Sequence, residues 1–471
     1  MTGSKASSVT LEASPTSGSP VKRVWYRSTW WCALALGVAN FCAPGLWGAC
    51  NSIGAGGLQE PWTVNAANAL TFSLMVVTAF ATSAITRVVG VRWTLFFGGA
   101  GYAVYTAALY VNSTQGTQWF LLLGAALCGL SAGTFWAIEA AIAMSYPEPY
   151  NIGKFFGWWL SFRVLGQILG GAINLGINAR NSQAGSINPQ VYIVFIVLQC
   201  LGPFSAFLLP PPNKVQRTDG QTVKLYIDNP LLVELRETAK LFFSKKFLLI
   251  VPLIVQAVFS ESFNSTFLTL HYSVRARALG SFLSAVCCIT SGQLFGLLID
   301  STRLNLKKRA RYSFVLVLGL QGAWWIWSVV IDNEFRKSST IYDWSDAGFG
   351  KGFASYLSIA VGFQLNYMYL YFVAGSLVSS PADIVRIGGL LRATESAAQA
   401  VSYGLNSLKT FQAIGASALN FALWGVALLP AWLVVRKIGV EYYGRWEDEN
   451  GKKNGDEVEE VRARSDTKEE L

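Results

Sequence analysis

Apolar residues fall in blocks of about twenty along this chain, separated by short polar breaks. A helix needs about that length to cross a hydrocarbon core of about 30 Å. The blocks predict helices over roughly 30–50, 64–85, 93–111, 118–144, 154–177 and 190–210. A hydrophilic segment runs from Pro211 to about Lys246, and further blocks predict helices over roughly 247–270, 278–300, 312–331, 352–378, 384–408 and 415–436. The pattern is six, a linker and six. It predicts an all-α polytopic membrane protein with about 12 transmembrane helices in two six-helix halves. The corresponding divisions are a 1–24 polar tail, a 25–210 half, a 211–246 linker, a 247–437 half and a 438–471 charged tail. Both tails lack an apolar face and read as disordered. No apolar core of a cleaved signal precedes the first helix, which is the expected targeting signal. In the linker, Leu231, Leu235, Ala239 and Phe242 share one face, as in an amphipathic helix lying on the membrane or against the bundle.

Composition strengthens the membrane reading. Only 14% of the 471 residues are charged against 52% hydrophobic, and 17 Trp with 29 Phe supply the rings that belt an interface. A net charge of +10 would suggest nucleic acid in a soluble protein. Here Lys and Arg collect instead in loops expected to stay cytosolic: Lys22, Arg23 and Arg27, then Arg87 and Arg92, Lys154, the linker, and Arg303 to Arg311. The loops after Cys50 and around Ser113 carry none, whereas Arg180, Arg275, Arg277, Arg336 and Lys337 break the rule. Both termini are accordingly expected in the cytosol, and Asn112-Ser113-Thr114 becomes an outward glycosylation candidate at Asn112. The seven cysteines lie mostly in apolar runs without C-x-x-C spacing, so neither a disulfide framework nor a metal site is expected. No phosphate-binding loop or metal-ligand cluster points to an enzyme or to a cofactor. The expected partners are the lipid bilayer and a small-molecule or ion substrate, not nucleic acid.

Candidate chemistry lies in polar stripes inside apolar helices. Arg163, Gln167, Gly170, Asn174 and Asn178 recur at helical spacing on the fifth helix, and Arg392, Glu395, Gln399, Tyr403 and Asn406 do so on the eleventh. An arginine followed by a polar stripe in each half predicts duplicated halves, the architecture of the major facilitator fold. A charge inside the bilayer should face protein or a water-filled cavity. Glu139, on the preceding helix, is the expected partner of Arg163; snorkelling to lipid phosphates is the other reading of that arginine. Arg392 and Glu395 are close enough to pair, either as a neutralised structural unit or as part of a translocation path. Glu261, among Gln256, Ser260, Asn264 and Ser265 on the seventh helix, is the candidate proton carrier, with a structural role as the alternative. His271, at a helix end, is assigned a surface role. Tyr367, Tyr369, Tyr371 and Phe372 are assigned to core packing rather than to a cavity lining.

Three stretches, FCAPGLWGACNSIGAGG (Phe41 to Gly57), GVRWTLFFGGAGYAVY (Gly90 to Tyr105) and GTFWAIEAAIAMSYP (Gly133 to Pro147), resemble the fungal branch of the Unc-ninety-three-like (uncoordinated) family within the major facilitator superfamily. The superfamily signature G-x-x-x-D-R-x-G-R-R is degraded: Ser83 stands at its glycine, Arg87 at its aspartate, and Gly90 and Arg92 remain. Gly296-Leu-Leu-Ile-Asp300 keeps more of it, so the resemblance implies a gating salt-bridge latch at Asp300 rather than at Arg87. Gly166-Gln-Ile-Leu-Gly170-Gly171 is similar to the antiporter motif G-P-x-x-G-G with glutamine for proline. The resemblance implies two functions. One is secondary transport of a small solute or ion, proton-coupled and by alternating access. The other is a non-transporting accessory role with a membrane-protein partner, since animal relatives regulate potassium channels and traffic with other membrane proteins.

Overall fold

The computed structural model describes residues 23–444, except 59, 149–151, 221, 222, 224–229, 300, 302 and 339. Asp300 and nearly all of both tails therefore lie outside the described residues. The first half comprises α1 (Thr29–Ser52), α2 (Trp62–Val89), α3 (Val91–Gln115), α4 (Gln118–Ser145), α5 (Ile152–Asn178) and α6 (Gln190–Leu208). The linker carries α7 (Leu231–Phe242). The second half comprises α8 (Val251–His271), α9 (Val274–Ile299), α10 (Leu306–Ser338), α11 (Phe349–Ser376), α12 (Pro381–Asn406) and α13 (Ala416–Val435). Among the described residues there are isolated bridges but no strands. Even numbers of crossings put the linker and the chain from both tails at one end of the bundle; the other end is called distal below.

Eleven of these helices are long and apolar enough to cross a membrane. The remaining long one, α12, has 26 residues but carries Asp383, Arg386, Arg392 and Glu395, and its polarity is tolerated because the stripe is buried in the bundle. The helix predicted over 312–331 extends in both directions to Leu306–Ser338, because the charged residues at its two ends are compatible with helix though not with hydrocarbon.

Local chemistry brings the helices close. Pro44 has no N–H to donate, and α1 passes it through a π-helical bulge at Phe41–Gly45. The glycines of α5 have a packing reason. A Cβ on Gly166 would stand 2.7 Å from the Phe41 carbonyl oxygen, one on Gly170 2.4 Å from Ala49 Cβ, and one on Gly171 2.9 Å from the Phe282 backbone of α9. The motif thus lets α5 touch α1 within its half and α9 across the halves. Gly296, by contrast, would meet only Met368 Cε at 4.0 Å, and its glycine is not sterically required. Gly90 turns the chain between α2 and α3 at φ 84° and caps both helices.

Each half has its own apolar core, and Val274 and Tyr403 of the second half join the core of the first. The linker helix α7 rests on the bundle through Leu241 and Phe242, and its buried Glu234 accepts two 2.8 Å hydrogen bonds from Arg386 of α12. The distal basic residues that break the charge rule are locally satisfied in three cases. Arg336 pairs with Asp332 at 2.9 Å, Arg275 pairs with Asp343, and Arg277 donates to backbone carbonyls of the first half. Asp343 lies in a loop between helices, and the Arg275 guanidinium beside it holds its carboxyl well below the usual carboxylate range.

Candidate functional site

The bulge in α1 and the glycines of α5 bring two polar stripes toward the space between the halves. Arg163 and Gln167 stand one turn apart on α5, and Gly48 of α1 makes room for them: a Cβ there would lie 2.3 Å from Gln167 Nε2. Glu261 enters from α8 and Gln399 from α12, and Gln399 Nε2 donates to Glu261 Oε2 at 2.6 Å. Together these residues line a chamber of about 40 Å³, which also meets Arg392, Trp136 and Tyr367. A second chamber of about 90 Å³ adjoins it, shares Gly48, Arg163, Gln167, Glu261 and Phe363, and reaches Asn51, Ser52, Asn264 and Tyr356.

The expected partner of Arg163 is elsewhere engaged. Glu139 is fully buried and accepts a hydrogen bond from Trp159 Nε1 at 3.2 Å. Arg163 has no ion pair to it; its guanidinium instead lies 5.3 Å from the ring centre of Trp136 and 5.5 Å from that of Tyr367. The indole of Trp159, on α5 with Arg163, reaches the carboxylate first, and the ring faces supply the arginine with a substitute for a counter-ion. The arginine thus faces a cavity rather than lipid. Arg392 does pair with Glu395, at 3.0 Å and buried, and lies 4.5 Å from the Trp136 ring centre at the wall of the same chamber. One indole therefore meets an arginine from each half.

Both ends of this space are defined. At the distal end Arg277 of α9 is 1% exposed and donates to the carbonyls of Ile53, Gly54, Leu58 and Gly185, all in the first half, at 2.8–3.0 Å. Ser52 and Ser281 hydroxyls meet at 2.5 Å, and Tyr356 donates to the Ser52 carbonyl at 3.3 Å. Asn65 donates to Thr266 and to the Asn406 carbonyl. These contacts seal the distal end. At the linker end a vestibule of about 410 Å³ opens between α2, α3, α4, α7 and α12, with Arg87, Gly90, Arg92, Glu234 and Arg386 on its wall. Met75, Trp136 and Arg392 line the chamber while Ala79, Ala137 and Gly389, within a turn of them, line the vestibule. The Trp136–Arg392 contact is the partition between the two spaces.

Several other expected residues fall outside the chambers. Asn174 is fully buried and takes the Asn178 side-chain amide at 2.9 Å, while Asn178 accepts from the backbone N–H of Asn188 at 3.0 Å. The far part of the α5 stripe thus closes the distal loop instead of facing a cavity. Tyr403 stacks on Phe72 of the first half at 5.4 Å, and Gln256 donates to Asn366 within the second half. Asn264 lines the second chamber and donates to the Tyr356 carbonyl. Arg92 donates to the Leu209 carbonyl at 2.6 Å, tying the α2–α3 turn to the end of α6. Asn112 lies in the last turn of α3 and not in a loop, its Oδ1 is buried, and its backbone carbonyl accepts the N–H of Gly116, which leaves the sequon in helical geometry. His271 is buried against Phe267 and Phe335 rather than on the surface, because the loop carrying Tyr342 folds over the helix end. Tyr369 and Phe372 are core residues as expected, but Tyr367 lines the chamber. Trp136, at the chamber wall, and Arg277, at the distal seal, are positions that the pattern of apolar blocks does not single out. Their only sequence signals are the Trp three residues before Glu139 and an arginine on the side where basic residues are scarce.

Comparison with known proteins supplies the context. A family described as "Ion channel regulatory protein UNC-93" matches residues 65–318. A protein of Aspergillus versicolor named "Notoamide biosynthesis cluster protein O'" is 37% identical over 424 residues, which cover 90% of this chain and 92% of that relative. "UNC93-like protein 1" of Arabidopsis thaliana is 27% identical over 386 residues, covering 79% and 83% respectively. Among solved structures, a D-xylose–proton symporter aligns with a TM-score of 0.60 at 12% identity over 87% of this chain and 97% of its own. A POT family transporter bound to 5-aminolevulinic acid aligns with a TM-score of 0.61 at 12% identity, over 86% and 96%. At such identities the likeness is one of fold: the major facilitator arrangement of two six-helix halves.

Proposed function

The chain belongs to the UNC-93 family, and from that premise we propose that it is a secondary-active transporter of a small solute or ion that works by alternating access between its two halves. One observation carries the reading. Ionisable and amide side chains from both halves (Arg163 and Gln167 from one, Glu261, Arg392 and Gln399 from the other) line a single enclosed space between them. Polar groups kept inside a membrane bundle are costly unless they serve a path or a partner. Rocking of the halves would open the sealed distal end and close the linker-end vestibule, with Trp136 and Arg392 as the inner partition. Glu261, whose carboxylate accepts a hydrogen bond from the neutral Gln399 amide and lines the same chambers as Arg163, is the proposed proton carrier. The linker end is the proposed cytosolic end, by the distribution of Lys and Arg. The fold neighbours support transport because two of them are a D-xylose–proton symporter and a POT family transporter.

The test is a flux assay. Purified protein in liposomes is challenged with labelled sugars, amino acids, carboxylates and alkali cations under an imposed pH gradient, and a saturable uptake that Glu261→Gln abolishes is expected. The absence of uptake for every solute, with the protein folded and oriented, would refute the reading. A second reading rests on the family description, which names ion channel regulation. Under it the chain would act as a partner of a channel, and stoichiometric co-purification with a channel subunit, together with silent liposomes, would select it.

A further inference from the structure

Arg163 differs from the other arginines enclosed in the bundle. Arg277 has four carbonyl partners, Arg392 has Glu395, and Arg309 donates to the Ile299 carbonyl at 3.2 Å. Among the described residues Arg163 has neither an ion pair nor a hydrogen bond, although a guanidinium presents five N–H donors in a planar fork. It is the one cationic side chain that lines both chambers. Neither carboxylate nearby accepts a hydrogen bond from its guanidinium: Glu139 accepts from the Trp159 indole and Glu261 from the Gln399 amide. Its N–H donors therefore open on the two chambers, and a ligand group that accepts from them gains charge-assisted hydrogen bonds.

Resting on the transport reading above, we infer that the substrate is a compact monocarboxylate whose carboxylate is held by the Arg163 fork. Four features select that chemistry. A planar fork binds a carboxylate through two parallel hydrogen bonds, which a hydroxyl or an ammonium cannot accept. Trp136, Tyr367 and Phe363 wall the same space and offer ring faces to a flat or apolar body. Chambers of about 40 and about 90 Å³ hold several water sites each, at about 10–15 Å³ per site, which is room for a few heavy atoms in the closed state and not for a peptide or a disaccharide. The carboxyl group of Glu261 in the same space leaves no place for a second anionic group on the ligand.

Thermal unfolding of the purified, detergent-solubilised full chain tests this without transport. The probes are acetate, pyruvate and benzoate, compared with acetamide and benzamide at ionic strength matched with potassium chloride. At least one carboxylate should raise the melting temperature in a saturable way, and its amide should not. Arg163→Gln should weaken the apparent affinity by about tenfold to a hundredfold, with Arg163→Lys intermediate, because it keeps the charge and loses the fork. Stabilisation by the amides as strongly as by the acids would overturn the inference. So would no response to any of the three acids, or an unchanged response in either Arg163 variant. If Arg163→Gln does not fold, the acid–amide comparison and the lysine variant decide. A carboxylate that binds but does not move in liposomes counts against transport; a cation or sugar that moves while no carboxylate binds counts against this site alone.

Discussion

Replacing Arg277 by methionine removes the distal clamp while retaining the stem that packs in the same space. The guanidinium makes four hydrogen bonds to carbonyls of the opposite half. Opening the distal end hands both partners to water, so each bond is exchanged rather than lost, at a net value of about 0.5–1.5 kcal/mol. Four of them favour the closed distal end by about 2–6 kcal/mol. Taking the lower bound, the open fraction should rise about thirtyfold in Arg277→Met, since 1.4 kcal/mol is a factor of ten. Cys288 reports on it: it lines the second chamber beneath the seal, and its thiol donates to the Ala360 carbonyl. A membrane-impermeant thiol reagent added from the distal side, followed by mass spectrometry of the Cys288 peptide, gives the rate of exposure. Labelling should accelerate at least about thirtyfold, with Arg277→Lys in between. An unchanged rate in a folded variant would mean that the clamp does not govern access, and that the seal is made by the Ser52, Ser281 and Tyr356 contacts alone.

Glu395→Ala leaves Arg392 buried without its counter-ion and should destabilise the protein by about 3–5 kcal/mol in detergent unfolding; a loss under about 1 kcal/mol would mean that Arg392 reaches water. Glu139→Gln keeps an acceptor for the Trp159 indole and should cost less than about 1.5 kcal/mol, whereas exchanging Glu139 and Arg163 should be worse than either single change; recovery on exchange would restore the ion pair that the structure lacks. Gly166→Val places a branched side chain where even a Cβ stands 2.7 Å from the Phe41 carbonyl, and should cost about 1–3 kcal/mol in unfolding; a neutral outcome would show that α1 and α5 separate at no cost. Asp343 is held ionised by Arg275, so its contribution is complete above the ordinary carboxylate value of 3.8 and is lost only as the pH falls toward its depressed folded value. The destabilisation by Asp343→Asn should therefore be equal at about pH 5 and about pH 8, and a difference between them would deny the pairing.

The apolar blocks determine the crossings because hydrocarbon demands length and hydropathy, and both are linear properties of a sequence. The same logic makes α12 legible only as a stripe: its charges lower its hydropathy, and burial against the other half tolerates them. Periodicity groups Arg163 with Gln167 and Arg392 with Gln399, and all four line the chamber. It could not give depth, and Asn174, on the same face two turns further on, belongs to a loop closure. Partner choice was less legible still. Glu139 and Arg163 lie on consecutive antiparallel helices, but Trp159 is on the same helix as the arginine and nearer the carboxylate, and an indole N–H is invisible to a reading based on charge. Arg277 was read as an exception to the charge rule because its partners are backbone carbonyls, which carry no sequence signal.

Alternating access requires that the distal contacts between halves break in every cycle. Ser52 and Ser281 hydroxyls, one from each half, are 2.5 Å apart, close to the roughly 2.0 Å of a disulfide bond. In liposomes containing Ser52→Cys with Ser281→Cys, solute uptake should fall to background on oxidation and return on reduction, while either single variant is indifferent to oxidant. A cross-linked protein that takes up solute at the rate of its reduced form would contradict transport by rocking of the two halves around the Arg163–Glu261 chamber.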